Sequence, residues 1–124
     1  MEKKETVKGK RDFQGEKIEQ VKEMVYSILD RVYPALPNFP KAEKFSLCEL
    51  IKLDACHCAS QLTLSFYLPK ERIKRLQRAQ AYLECFRDRI YFSYRRKYIS
   101  NGFWEDLDLM FNHLRDALKS LFKY

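Results

Sequence analysis

Hydrophobic positions recur along most of this chain at steps of three and four, the spacing that gathers side chains on one side of an α-helix. The first run, Ile18, Val21, Val25, Ile28 and Val32, predicts a helix from about Gly15 to Tyr33. Pro34, Pro37 and Pro40 follow, and each lacks a backbone donor and disfavours helical geometry in the residue before it, so the helix stops there. A second run is Cys48, Ile51, Ala55, Cys58, Leu62 and Ser65, with Phe45, Leu47 and Phe66 widening the buried stripe. Leu68 and Pro69 end it, and Pro69 suits the first turn of a third helix, where its missing donor has no partner to lose. That helix carries Leu76, Ala79, Leu83, Phe86 and Ile90, flanked by Ile73 and Tyr94, and is expected to reach about Tyr98. Ser100, Asn101 and Gly102 read as a short turn. A fourth run follows at Phe103, Leu107, Met110, Leu114, Ala117 and Leu121, with Trp104, Phe111, Leu118 and Phe122 beside it.

The pattern fails only at the start. Residues 1–12 are polar and mixed in charge, with too little apolar surface to offset the entropy of ordering them, and read as a flexible charged tail. Residues 13–124 then form one domain. Short connections set neighbouring helices antiparallel, so the expected fold is all-α, an up-down-up-down antiparallel four-helix bundle. Composition agrees: 3 Gly and 4 Pro in 124 residues are few for the many turns of a sheet protein. No apolar run approaches the roughly 20 residues of a membrane span, and MEKKETVKGKRDF lacks the apolar stretch of a secretory signal. A cytoplasmic location, no membrane and reduced thiols at Cys48, Cys56, Cys58 and Cys85 are the expectations.

Charge changes this picture by its placement. The chain carries a formal +7, and the stretch Lys70 to Lys97 alone has ten basic residues against Glu71, Glu84 and Asp88, which accounts for the whole excess. Lys70, Lys74 and Arg78 follow one another at i+4, and Arg89 and Arg96 are expected to rejoin that side, opposite the apolar seam. Like charges along one helix repel, and a phosphate polymer would relieve the repulsion while releasing its own counterions. The candidate nucleic-acid-binding residues are Lys70, Lys74, Arg75, Arg78, Arg89, Arg95, Arg96 and Lys97. Tyr82, Tyr91, Tyr94 and Tyr98 interleave with them, as base platforms if exposed and as packing residues if not. Arg87 falls near the apolar seam and must extend to water, pair with an acid or face another subunit. A solvated basic face with no ligand is the alternative for the whole stretch.

Catalytic constellations are missing from the pattern. Cys56, His57 and Cys58 are consecutive on a helix, where successive side chains diverge by about 100°, so they cannot converge on a tetrahedral ion or form a nucleophile and base pair. Glu105, Asp106 and Asp108 fall in the first turns of the fourth helix, where acids complement the helix dipole. Gly9, Gly15 and Gly102 make no phosphate-binding loop. A non-enzymatic protein without metal, cofactor or small-molecule substrate is expected.

The proline-rich connection is more specific. Tyr33-Pro34, Pro37-Asn38-Phe39-Pro40-Lys41 and Glu43-Lys44-Phe45-Ser46-Leu47 resemble the junction of helices one and two in Avd-like proteins. These are the accessory variability determinants of diversity-generating retroelements, related to the four-helix proteins of ribosomal RNA intervening sequences. The resemblance extends in pattern from about Ile18 to Leu121. It implies a homo-oligomer, a ring-like pentamer, that contacts a reverse transcriptase and its template RNA or cDNA and supports mutagenic cDNA synthesis without catalysing it. The ribosomal branch differs over Leu50 to Thr63, where this chain has Asp54, Ala55 and Cys56, so the resemblance is closer to the Avd branch. A protein-only helical scaffold and a ribosomal intervening-sequence-type protein stand as alternatives. Trp104, Phe111, Phe122 and Tyr124 are read as extra apolar area on helix four available to a second subunit.

Overall fold

The computed structural model describes the backbone of residues 2–123 and the side chains of residues 14–123. Among them lie four α-helices, α1 (Glu2–Val32), α2 (Leu47–Tyr67), α3 (Arg72–Arg95) and α4 (Asn101–Ser120), with short 3₁₀ segments between α1 and α2, before α3 and after α4. The described chain is an all-α four-helix bundle. Each helix packs against the next in order and α4 closes back on α1.

The apolar stripes of the first three helices are buried as spaced. Ile18, Val21, Val25, Ile28 and Val32 of α1 meet Cys48, Ile51, Ala55, Cys58 and Leu62 of α2 and Leu76, Ala79, Leu83, Phe86 and Ile90 of α3 in one core. Helices α2 and α3 make the tightest pair, because Ala55, Cys58, Ala59 and Ala79 let the backbones approach. The Cys58 thiol donates to the Ala79 carbonyl at 3.3 Å across that seam, and burial pushes its pKa up to about 12.

Several details differ from the pattern. Helical backbone reaches back to Glu2, through the segment read as a tail; the Lys and Glu residues there favour helix, and extending a helix already anchored at Ile18 avoids the cost of nucleation. The side chains of residues 1–13 lie outside the described set. Phe45, expected to widen a buried stripe, precedes α2 and is 91% exposed, because the helix that would have turned it inward begins only at Leu47.

Helix α3 stops at Arg95 rather than near Tyr98. Lys97 adopts a left-handed φ of 65°, its N–H reaches the Tyr94 carbonyl and the Tyr98 N–H reaches that of Ser93, both at 2.9 Å. This pair of bonds is a Schellman stop, most often built on glycine and built here on lysine. Ser100, expected in a turn, caps α4 by accepting from the Phe103 N–H at 3.1 Å.

Helix α4 is rotated from its expected seam. Trp104, Leu107, Phe111, Leu114, Leu118 and Leu121 are buried, whereas Phe103, Met110 and Ala117 are only partly so. Both seams share Leu107, Leu114 and Leu121; the one with Trp104 and Phe111 buries more area, and the Phe111 ring meets Phe86 edge-on at 5.0 Å. Trp104 and Phe111 are therefore core residues rather than area for a second subunit. Tyr124 lies outside the described residues.

Candidate nucleic-acid interface

The ten basic residues of the Lys70 to Lys97 stretch divide by their surroundings. Those at its middle are held by acids from other helices. Arg87 reaches Asp108 of α4 at 2.9 Å and lies over the Trp104 ring at 5.2 Å. Arg89 pairs with Asp54 of α2 at 3.2 Å, and Asp54 is only 8% exposed. Arg75 pairs with Glu71 at 2.9 Å and donates to Gln61 at 3.4 Å, while Arg72 donates to the Leu121 carbonyl. Two of the candidates, Arg75 and Arg89, are thus engaged on the flank of α3 that faces α2, where their bonds to Gln61 and Asp54 tie the two helices together.

The other six candidates stay exposed. Lys70, Lys74, Arg78, Arg95, Arg96 and Lys97 have no ion pair among the described residues. They form two groups, one around the start of α3 and one at its end, separated by about 30 Å of helix at the usual rise per residue. Arg96 lies beside the Tyr98 hydroxyl, whose hydrogen bond holds the guanidinium pKa above its ordinary value. The expected continuous ridge is therefore a pair of clusters with a neutralised middle.

The tyrosines also find definite places. Tyr91 and Tyr94 pack on Trp104, with centroids 5.3 and 5.9 Å away, and the Tyr94 hydroxyl donates to Asn101 at 2.9 Å. Tyr82 packs against His57 at 5.0 Å, and Tyr98 packs on Phe39 at 5.2 Å. These rings join helices, and Arg87 belongs to the same α3 to α4 seam.

Residues absent from the sequence-based set arrive through the fold. The Tyr98 hydroxyl donates to Glu43 at 3.1 Å, which fastens the α3 to α4 turn beside the α1 to α2 junction. Exposed Lys41 and Lys44 therefore share one end of the bundle with Arg95, Arg96 and Lys97. The sequence signal for them was the junction itself, a rigid connection that must lie at the end of a bundle.

The acids of α4 are structural partners. Glu105 accepts from Asn101 at 3.0 Å, Asp106 pairs with Arg31 at 3.2 Å and Asp108 with Arg87. Cys58 points into the core, His57 lies on Tyr82 and Cys56 is exposed, so the three diverge. No cluster of His, Cys, Asp or Glu suited to a metal ion is present among the described residues, and no helix among them is long and apolar enough to cross a membrane. A scan against protein-family models finds no match to this chain, and searches of curated proteins and of solved structures find none either.

Proposed function

We propose that this chain is a non-enzymatic accessory protein that binds RNA or cDNA through its unpaired cations, as the resemblance to Avd-like retroelement proteins implies. In that role it associates with a reverse transcriptase and supports mutagenic cDNA synthesis as a homo-oligomer. The observation that carries the reading is the six exposed cations of the Lys70 to Lys97 stretch that lack acidic partners among the described residues. Acids from α2 and α4 neutralise the middle of α3 and leave its two ends charged, an arrangement that phosphates complete.

The test is affinity against salt. Six phosphate contacts on a single strand give a slope of about −4 in log K against log salt. Replacing Lys74, Arg78, Arg95 and Arg96 together by Gln should shallow that slope by about 3 and weaken binding at low salt. An unchanged slope overturns the assignment. The homo-oligomer draws support from Leu53 of α2 and Phe92 of α3, which are 46% and 47% exposed. A monomeric mass by light scattering overturns that part.

A further inference from the structure

We propose that the α1 to α2 junction is a base-stacking platform for unpaired nucleic acid, resting on the reading above and naming the form of polymer it selects. Phe45 is the most exposed large apolar side chain described, at 91%, and Tyr33 is 50% exposed. Between them lies an open groove of about 330 Å³ whose apolar wall also includes Leu36 and Pro37. Two exposed rings on one apolar groove make a contiguous patch of the kind that marks an interaction site.

Charge identifies the occupant. Lys44 and Lys52 rim the groove, and Lys41 lies on the same connection. The Lys52 ammonium stands 5.3 Å from the Tyr33 ring centroid, and Glu49, which also lines the groove, pairs with it at 3.5 Å. Glu43, on the same connection, is engaged by the Tyr98 and Ser46 hydroxyls. Through that Tyr98 contact Arg95, Arg96 and Lys97 stand at the same end. Cations beside exposed aromatic rings suit a strand whose bases are free to stack and whose phosphates are close by. A duplex offers the phosphates and hides the base faces.

The rigid backbone of the connection suits this role. Pro34 and Pro37 lie within a 3₁₀ segment (Tyr33–Asn38), and Phe39 is buried as its anchor, 3% exposed against Tyr98. The groove walls are held in place before a ligand arrives, which lowers the ordering cost of binding.

The experiment compares a 12-nucleotide unstructured RNA with a blunt RNA duplex of equal length on the full chain at fixed salt. Phe45→Ala should weaken the single strand by about tenfold while leaving the duplex within twofold. Phe45→Trp should restore binding, and Phe45→Leu, apolar without a π face, should not. Tyr33→Leu gives the same pattern by a second route. The platform is overturned if Phe45→Ala leaves single-strand affinity unchanged, or if both RNAs weaken equally. If the variant instead abolishes self-association in light scattering and spares RNA, the groove seats a second copy of the chain. Wild-type binding to the duplex alone sinks the platform and keeps the cation reading; no binding to either RNA sinks both.

Discussion

At the residue scale, neighbours rather than residue type decide what a charge does. Arg78 and Arg89 are both arginines on α3, yet one is exposed without an acidic partner among the described residues and the other is spoken for by Asp54. Arg78 and Arg89 are three turns apart and share nearly the same helical phase, so what separates them is Asp54 of α2, which lies 35 positions from Arg89 in sequence. Periodicity gives the flank and cannot give the partner. Glu84 shows the same in reverse: bonding to Arg115 at 2.7 Å holds its carboxyl below the ordinary value. A carboxylate whose folded pKa is depressed stabilises the protein fully above its unfolded pKa, and that stabilisation fades as pH falls through the folded value. Glu84→Gln should therefore lower thermal stability slightly at neutral pH and leave it unchanged at the acid end, as melting curves across pH 2 to about 7 would record. A constant difference at every pH would contradict the pairing.

Among the elements, α1, α2 and α3 were legible because one run of apolar positions at helical spacing marks each, and prolines bound α1 and α2. Proline closes α1 at Val32 and opens the turn before α3. The arc of α4 is wide enough to hold two seams, and only the volume of Trp104 and Phe111 against the opposing helices chooses between them. The end of α3 was hidden for another reason, since a lysine at φ 65° carries none of the usual stop signal. A side chain there is strained relative to glycine, so Lys97→Gly should stabilise the fold by about 0.5–1 kcal/mol, read from urea or thermal unfolding. A loss of stability would mean that the lysine side chain contributes more than its backbone costs. Because the same change removes a cation, it should also lower RNA affinity, which separates the two roles of the residue.

For the molecule as a whole, fold and interface differ in what carries them. The core follows from spacing along the chain, and nearly every predicted core position of α1 to α3 lies within it. The proposed interface depends on which cations the tertiary structure leaves over, and on an end of the bundle where segments distant in sequence meet at Tyr98 and Glu43. The two groups of leftover cations stand about 30 Å apart along α3, which makes the helix a ruler. Their nearest members, Arg78 and Arg95, are about 25 Å apart on the same rise, so at about 3.4 Å per base pair a duplex must exceed roughly seven base pairs before one molecule of it could touch both marks. If the proposed binding holds, shorter duplexes should sit at one end or the other with two to a chain and longer ones should bind one to one, a stoichiometry that titration against duplex length would read.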